Sequence, residues 1–287
     1  MEYIETKSIL SKLKTQDTLF GISYNMNLYR GCQHGCIYCD TRSLCYRMGD
    51  LSAIRIKKNA LQLLAYEIKH KPKATIGTGS MNDPYMPVES TLQLTRRALQ
   101  IIASHKFPVH VITKSNVVER DIDILQDIAK TYAAVSLTIT CADDTLASKI
   151  EPHAPSTSKR FKTMESLARN NIYTGVTLMP LLPFINDDIN NMETIIKRAK
   201  DAGASYILPL FGVTLRAGSR DYLYQTLEQL VPGIASQYQQ VFGQQYMCYS
   251  PHYHQLHQTF QELCYKLGLQ TEMEKYTRPT IQQLSLF

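Results

Sequence analysis

The chain has 287 residues, enough to bury a sizeable core, and α/β barrels take this length as a single domain. Hydrophobic residues make up 44% and charged residues 20% of the sequence, and no apolar run approaches the ~20 residues that span a bilayer, so no membrane partner is expected. The net charge of +6 permits an anionic partner such as nucleic acid, although no dense basic run requires one.

The N-terminal residues lack the charged and then apolar layout of an export signal, so a cytoplasmic location is expected. Disulfides are not expected there, and the seven cysteines are an odd number for pairing. The cysteines are therefore expected to serve another purpose.

A first strand is predicted over Ile22–Leu28, and three cysteines follow it closely. Cys32, Cys36 and Cys39 have the spacing C-x3-C-x2-C, so one short loop supplies three thiolates. A [4Fe–4S] cluster normally takes four cysteines, which means that three leave one iron open to a ligand from outside the protein. The spacing favours one such cluster, held by these three cysteines.

Two other interpretations apply to this loop. A structural zinc site takes four Cys or His ligands, and His34 inside the loop or Cys45 after it could complete one. Three unrelated buried cysteines are the second interpretation, which the short and polar loop disfavours. The remaining cysteines are scattered, so no second cluster is predicted; they are Cys45, Cys141, Cys248 and Cys264.

From residue 58 onward, apolar runs typical of strands alternate with helical patterns, which predicts a parallel sheet with helices outside it. With the first strand, this alternation gives six β/α units. The further strands are predicted over Ala74–Thr78, Val109–Thr113, Ala134–Thr140, Thr174–Met179 and Tyr206–Phe211. The helices between them are predicted over Lys58–His70, Ser90–Ser104, Asp121–Lys130, Ser158–Asn170 and Asn190–Ala202.

The pattern changes after Gly212, where only helices are predicted. They cover Arg220–Leu230, Ile234–Phe242 and His252–Leu267. We therefore expect three parts: an α/β part over residues 1–212, a helical extension over 213–270 and a tail over 271–287.

Several segments resemble the radical S-adenosylmethionine superfamily, and within it the spore photoproduct lyase-like branch, over almost the whole chain. The segments are Arg30–Cys39, Asn82–Tyr85, Ile112–Ser115, Glu151–Pro152, Ser158–Arg160 and Gly175–Pro180. The resemblance implies a partial (β/α)6 TIM-like barrel whose open side the helical extension closes. Its reactive groups are expected at the carboxyl ends of the strands.

In this superfamily the amino and carboxylate groups of S-adenosylmethionine chelate the open iron. An electron from the cluster cleaves the sulfonium and releases a 5′-deoxyadenosyl radical, which abstracts hydrogen from a substrate. The resemblance therefore implies a [4Fe–4S] cluster and S-adenosyl-L-methionine as cofactors. An electron donor such as flavodoxin or ferredoxin is the expected partner.

The resemblance also assigns cofactor-binding residues at the strand ends. Asn82 and Asp83 would hold the amino group and the methionine portion, although Asn-Asp-Pro is also ordinary turn chemistry. Lys114 would pair with the carboxylate, and a solvated loop lysine is the alternative. Thr138 best matches a contact to the ribose or the carboxylate.

Three further positions complete the expected site. Ser136 and Thr140 share the face of Thr138 by strand alternation, and β-branched filler is the alternative for this face. Met179 would offer backbone groups to adenine, while its side chain packs. Tyr38 is expected near the adenine and the cluster.

Two departures from the family bear on the substrate. Spore photoproduct lyase returns a hydrogen atom through a cysteine and two tyrosines, but here Ser80 takes the place of the cysteine and Asp40 follows the last cluster cysteine. Tyr38 retains one tyrosine. Because a serine O–H bond is too strong to donate hydrogen readily, Cys141 is predicted as a catalytic residue beside Tyr38, with a small buried hydrophobe as the alternative.

The last five residues resemble the short peptide by which many bacterial DNA-metabolism proteins dock onto the replication sliding clamp. They are Gln283, Leu284, Ser285, Leu286 and Phe287. Three apolar side chains in a polar tail would otherwise stay exposed, and a peptide groove would cover them. The alternative is that this segment folds back onto the barrel.

The leading hypothesis is a radical enzyme that acts on a nucleic-acid lesion or modification, with DNA and the clamp as partners. The first alternative keeps the radical chemistry and changes the substrate to RNA, a peptide or a small metabolite. The second alternative is a non-catalytic metal-containing module that binds the clamp or nucleic acid.

Overall fold

The computed structural model describes residues 1–15 and 17–278. Its strands are β1 (Glu2–Ile4), β2 (Leu10–Lys12), β3 (Tyr24–Met26), β4 (Tyr29–Arg30), β5 (Arg55–Lys57), β6 (Ile76–Thr78), β7 (Val109–Thr113), β8 (Ala133–Thr138), β9 (Tyr173–Leu178), β10 (Tyr206–Pro209), β11 (Gly212–Thr214) and β12 (Met247–Tyr249). Its α-helices are α1 (Ala60–Glu67), α2 (Glu89–Leu92), α3 (Leu94–Ser104), α4 (Ile122–Ala129), α5 (Asp144–Ile150), α6 (Thr157–Arg169), α7 (Ile189–Asp201), α8 (Ser219–Leu230), α9 (Ile234–Phe242) and α10 (Tyr253–Leu267). Across these residues, none of the helices has the length and apolar character needed to cross a membrane.

A seven-stranded sheet forms the centre of the molecule, with the strand order β10-β9-β8-β7-β6-β3-β2. Six of these strands, β3, β6, β7, β8, β9 and β10, run parallel to one another, and β2 adds an antiparallel edge. These six parallel strands correspond to the six predicted β/α units, which confirms the partial (β/α)6 architecture. Within the described ranges β10 and β2 do not pair, so the sheet is open between them.

The central strands are buried on both faces. All six residues of β8 and five of the six residues of β9 are buried. Continuous burial is expected for a parallel sheet, because helices cover its outer face and side chains fill the concave face. The apolar runs of the sequence therefore mark strands that lie between two packed layers.

Side-chain caps fix the beginning of three outer helices. Asp143, Ser156 and Asp188 each accept a hydrogen bond from a backbone N–H three residues later, at 2.7, 3.3 and 2.8 Å. After the other end of α7, Gly203 has a φ of +81°, the left-handed conformation in which glycine often ends a helix. These caps fix where three of the helices begin, and so they limit the length of the loops that follow the carboxyl ends of the strands.

The first predicted strand is wrong in its extent. The backbone leaves the main sheet after Met26, and β4 pairs instead with β5 in a separate sheet of order β1-β5-β4. The carbonyl of Leu28 accepts a hydrogen bond from Lys57 N at 3.2 Å, which draws the chain toward that sheet. The break follows from pairing with β5, a strand about 27 positions further along the chain, which the local pattern does not reveal.

The region after Gly212 contains the three predicted helices, but it is not only helical. Helices α8, α9 and α10 begin and end within one residue of the predicted bounds. In addition, β11 and β12 form an antiparallel pair that was not predicted. The pair joins residue 212 to residue 249 across the helical extension, so it depends on a tertiary contact.

The short helix α5, which lies between β8 and α6, was not predicted either.

The segment after α10 lies against the amino ends of the strands. Gln270 forms a parallel bridge to the first residue of β10, and Met273 is buried. Tyr132 donates a hydrogen bond to the carbonyl of Glu274 at 2.6 Å, and Glu274 N donates to Tyr173 Oη at 2.8 Å. Residues 273 and 274 of the predicted tail are therefore packed against the sheet, whereas Gln283–Phe287 lies outside the described residues.

A polar chain crosses the buried interior near this end of the sheet. His110 Nε2 lies 2.8 Å from Ser136 Oγ, which lies 2.8 Å from Tyr206 Oη. His110 is fully buried beside the Phe20 ring, whose centroid is 5.1 Å away. Burial lowers the pKa of His110 to about 3, so the imidazole is neutral at pH 7.

We predict that His110 makes the protein less stable in mild acid. Since the folded pKa lies below the unfolded value of about 6.5, the contribution is complete above that value and is lost as the pH falls toward 3. Between about pH 7.5 and about pH 5.5 this amounts to about 1.4 kcal/mol of unfolding free energy. Urea denaturation of wild type and His110→Gln should show that the variant loses this part of the pH dependence. His254→Gln, an exposed control on α10, should keep it, and an unchanged dependence in His110→Gln would contradict the prediction.

Candidate active site

A cavity of about 330 Å³ opens at the carboxyl ends of the parallel strands. It brings together nine of the ten predicted site residues, namely Cys32, Cys36, Tyr38, Cys39, Asn82, Asp83, Lys114, Thr138 and Met179. They come from the cysteine loop and from the ends of β6, β7, β8 and β9. Parallel strands place their carboxyl ends along one rim, which is why residues distant in sequence meet here.

Backbone hydrogen bonds fasten the cysteine loop to its surroundings. Cys32 N donates to the carbonyl of Leu51 at 2.8 Å, and the loop bonds to residues 150 and 153 at 3.0 and 3.1 Å. Gly35 has a φ of +69°, and a Cβ at this position would lie 3.1 Å from the His153 ring. The loop therefore needs glycine here, both for its backbone conformation and for its close packing.

The three cysteines are free thiols in a largely buried environment. Burial raises the pKa of Cys32 to about 11 and that of Cys36 to about 12. The side chain of Lys114 is mostly buried, and its positive charge acts directly on Cys36. This set fits a metal–thiolate cluster, because metal binding displaces thiol protons and a nearby cation offsets the anionic charge. Cys45 is exposed and does not line the cavity, so it does not supply a fourth ligand.

Asp83 connects the cysteine loop to the ends of two strands. Its Oδ1 accepts hydrogen bonds from Thr113 Oγ1 at 2.6 Å and Tyr85 N at 2.8 Å. Its Oδ2 accepts from Lys114 N at 2.7 Å and lies 3.3 Å from His34 Nδ1. Although burial alone would raise the pKa of Asp83, His34 and these donors lower it to about 2. Asp83 is therefore an ionised and saturated acceptor.

Asp83 and its neighbour Asn82 differ in whether they have an acceptor left for a ligand. A carboxylate offers about four acceptor positions, and protein donors take all four on Asp83. Asn82 donates a hydrogen bond from Nδ2 to the carbonyl of Tyr29 at 2.6 Å, and no described residue donates to its side-chain oxygen. Of the two predicted ligands, Asn82 has the free acceptor for an amino group, while Asp83 positions the loop.

Glu151 organises a second buried charge network beside the cysteines. The phenol of Tyr38 donates a hydrogen bond to Glu151 Oε1, and Arg160 Nη1 lies 2.5 Å from Oε2. Lys114 Nζ is 4.0 Å from Oε1 and 5.6 Å from the centroid of the Tyr38 ring. Although burial alone would raise the pKa of Glu151, the charges of Arg160 and Lys114 hold it below its usual value. The carboxylate of Glu151 thus faces two cations, and Lys114 is the one of the two that lines the cavity.

The remaining cofactor residues lie at the ends of the next two strands, β8 and β9. Thr138 Oγ1 is 2.8 Å from Thr177 Oγ1, and the carbonyl of Thr138 accepts from Arg160 Nη1 at 2.9 Å. Met179 also lines the cavity. Ser136 does not line the cavity, because it belongs to the polar chain of His110.

The structure does not bring Cys141 to the cavity. Its side chain is 1% exposed and does not line the wall. Asn186 Nδ2 donates to its Sγ at 3.4 Å, and burial raises its pKa to about 12. Strand β8 was predicted to end at Thr140 but ends at Thr138, so Cys141 does not directly follow the strand end. Ser80, by contrast, does line the cavity.

Residue patterns gave no role to Thr113, Glu151 and Arg160, and gave His34 only the alternative role of a zinc ligand. Glu151 and Arg160 lie in segments that resemble the superfamily, and this was the one available signal for them. Their function depends on partners more than 20 positions away in the chain, such as Thr138 for Arg160 and Tyr38 for Glu151. A single sequence does not reveal such pairings.

Comparison with known proteins supports one family. The sequence signature of the Radical SAM superfamily matches residues 26–199. An uncharacterised protein of Methanocaldococcus jannaschii is 31% identical over 209 residues, which cover 71% of this chain and 76% of that protein. A radical SAM Nα-GlyT isomerase of Pseudomonas phage M6 is 24% identical over 184 residues, which cover 63% of this chain and 37% of that protein.

Solved structures of spore photoproduct lyase have a similar fold. A mutant of that enzyme in which one cysteine is replaced by serine superposes with a TM-score of 0.71 at 14% identity, over 92% of this chain and 78% of that chain. A double mutant with bound AdoMet and dinucleoside spore photoproduct superposes with a TM-score of 0.65 at 13% identity, over the same shares of the two chains. At this identity the likeness concerns the fold.

We predict that Glu151→Gln destabilises the protein by about 3 kcal/mol, because it leaves two cations buried without their carboxylate. Glu165→Gln is the matched control, since Glu165 pairs with Arg169 on the exposed face of α6. That change should cost no more than about 0.5 kcal/mol. Urea denaturation of both variants measures the difference. Equal small losses would show that the Glu151 network contributes little to stability.

Proposed function

The chain belongs to the radical SAM superfamily, and we propose that it is an enzyme that acts on a nucleic-acid lesion or modification. Its cofactors are those of the family, a [4Fe–4S] cluster and S-adenosylmethionine. When bound, they supply a 5′-deoxyadenosyl radical that abstracts hydrogen from a substrate. The observation that carries the proposal is the convergence of Cys32, Cys36 and Cys39 with Asn82 and Lys114 on one cavity.

The residues of the cavity have separate roles in this proposal. The three cysteines hold the cluster, and Lys114 places a cation where the carboxylate of the cofactor would lie. The side-chain oxygen of Asn82 accepts from the amino group. Thr138, at the end of β8, meets the ribose or the carboxylate in this proposal.

The substrate assignment rests on likeness rather than on contacts. The fold resembles spore photoproduct lyase, one structure of which holds a dinucleoside spore photoproduct. Ser80 lines the cavity in the place of the lyase cysteine, and the buried Cys141 does not line it, so hydrogen return by the lyase route is not supported. We therefore favour a modification or repair reaction that differs from that of the lyase. RNA, a peptide or a small metabolite is the alternative substrate class.

The cluster assignment predicts a specific loss in Cys36→Ala. After anaerobic reconstitution, wild type should bind about four irons per chain and cleave S-adenosylmethionine to 5′-deoxyadenosine with dithionite. Cys36→Ala should lose cluster absorbance and cleavage, because its thiolate is one of three ligands. Cys45→Ala, which changes an exposed neighbouring cysteine, should retain both. Zinc without iron in anaerobically purified wild type would refute the proposal.

The same reconstituted enzyme can identify the substrate class. Native and ultraviolet-irradiated DNA, RNA and peptides with deuterium at candidate positions are offered separately, and deuterium is followed into 5′-deoxyadenosine. Transfer from DNA supports the proposal. Transfer from RNA or peptide alone would favour the alternative.

We also propose that the QLSLF segment, Gln283 to Phe287, docks onto the bacterial sliding clamp. Its residue types suit an apolar peptide groove. The last described residues lie on the face opposite to the cavity, where the Tyr276 ring is 6.4 Å from that of Tyr132. A tail that starts there would leave the cavity free to face nucleic acid.

Deleting residues 283–287 should abolish binding to purified clamp, because the leucine and phenylalanine side chains provide the apolar contact. Replacing Gln282, just outside the segment, with Ala serves as the control and should leave binding unchanged. Surface plasmon resonance measures the affinity. Equal binding by the truncated protein would refute clamp docking through this segment.

A further inference from the structure

A group of arginine and tyrosine side chains borders the mouth of the cavity. We name it the Arg–Tyr rim, and it consists of Arg42, Tyr46, Arg216, Tyr222 and Tyr246. Its members follow Asp40 and Thr41 on one side and Val213 and Thr214 on the other, all four of which line the cavity. None of the roles described above uses these five side chains.

The rim contains two guanidinium groups that stack on tyrosine rings. The guanidinium of Arg42 lies 3.8 Å from the centroid of the Tyr222 ring, and that of Arg216 lies 4.6 Å from the centroid of Tyr246. Tyr222 is 37% exposed and Tyr246 is 48% exposed. Each stacked pair therefore presents a flat, cationic and aromatic surface to solvent beside the cavity.

Hydrogen bonds hold these surfaces in place. Arg216 Nη1 bonds to Asp40 and, at 2.8 Å, to Tyr46 Oη, while Nη2 donates to Tyr246 Oη at 2.9 Å. Behind them the buried Arg220 donates to carbonyls on both loops, at 3.1 Å to residue 215 and at 2.6 Å to residue 245. The rim is thus preorganised, so a ligand would not have to order it.

The charge around the rim fits a polyanion. Next to Arg42 and Tyr46 of the rim, Arg30 and Arg55 donate hydrogen bonds to the carbonyls of residues 47 and 48, so two further cations lie beside this segment. Two aspartates, Asp40 and Asp50, belong to the same stretch. One of the two acids, Asp40, is neutralised by Arg216 and by a hydrogen bond from Tyr46 Oη at 3.0 Å. A phosphate chain along this surface would meet cations and little repulsion.

We propose that the Arg–Tyr rim is a binding surface for single-stranded nucleic acid, which stacks bases on the rim and leads a neighbouring base into the cavity. Stacked arginine and tyrosine planes bind the faces of bases, and free guanidinium edges bind phosphate. A duplex keeps its bases stacked and paired, so a base can enter a cavity at strand ends only from an unpaired or extruded position. An acidic peptide would use the charge of the rim but not its ring faces.

This inference refines the substrate class of the proposed function and rests on it for the role of the cavity. The binding test itself needs neither reductant nor S-adenosylmethionine. If wild type binds through the rim but fails to cleave S-adenosylmethionine, the rim inference stands and the radical proposal fails. If wild type cleaves S-adenosylmethionine and rim variants bind oligonucleotides as wild type does, the rim inference fails and the radical proposal stands.

The test measures fluorescence anisotropy of short single-stranded DNA and RNA across a salt series, with reconstituted full-length protein. Tyr246→Leu should weaken binding about tenfold with an unchanged salt slope, because it removes a stacking face. Tyr246→Phe keeps the ring and should retain the affinity. Arg42→Gln should weaken binding and reduce the salt slope by about 0.7, as expected for one lost phosphate contact.

Two matched variants and three competitors make the result decisive. Arg169→Gln on α6 and Tyr265→Leu on α10 change an exposed arginine and an exposed tyrosine elsewhere, and should bind as wild type does. Duplex DNA, an abasic phosphodiester oligomer and polyglutamate should compete weakly. The proposal is overturned if any of these competes as well as the single strand, or if the Tyr246→Leu and Arg42→Gln variants bind no worse than the matched variants. Tighter binding of the DNA strand agrees with the proposed function, whereas tighter binding of the RNA strand keeps the rim inference and favours the RNA alternative for the substrate.

Discussion

Two buried carboxylates hold the cysteine loop against the strand ends, and the geometry of the site depends on them. An ion removed from water costs several kcal/mol unless donors and opposite charges surround it. Asp83 meets this demand with donors from the loop, from β7 and from the backbone after β6. Glu151 meets it with Tyr38 from the loop and with Arg160 from α6. Because each carboxylate joins segments from different parts of the chain, neither the loop nor the strand ends can shift without exposing an unpaired charge.

These pairings also set the electrostatic character of the cavity. Asp83 is compensated by neutral donors and His34, whereas Glu151 is shared between Lys114 and Arg160. The two cations thus balance the two carboxylates, and Lys114 is the cation that lines the cavity beside the cysteines. An anionic metal–thiolate cluster or a carboxylate ligand would gain from a cation in that position. Because protein donors saturate Asp83, the free acceptor belongs to Asn82, a division that the Asn-Asp-Pro turn does not reveal by itself.

The two ends of the sheet differ in a way that suits the proposed activity. At the amino ends, His110, Tyr206 and the segment around Met273 fill the interior, and this end is closed by neutral, mutually bonded groups. At the carboxyl ends the wall is charged, open and bordered by the Arg–Tyr rim. The proposed chemistry and the proposed binding of nucleic acid both use this second end, whereas the last described residues lie near the first.

The sequence by itself determined the six β/α units, the three C-terminal helices and nine of the residues that line the cavity. Strand burial, helix periodicity and cysteine spacing are local signals, so the elements and the three cluster cysteines could be predicted from residue patterns. The six other cavity residues were predicted from the resemblance to the radical S-adenosylmethionine superfamily, and parallel strands bring them together at their carboxyl ends. Tertiary structure decided the rest. It withdrew Cys141 from the cavity, ended the first strand at Met26, paired β11 with β12 and gave Glu151 its partners. Each of these outcomes depends on contacts between distant segments, where the need to pair buried charge and backbone groups overrides local pattern.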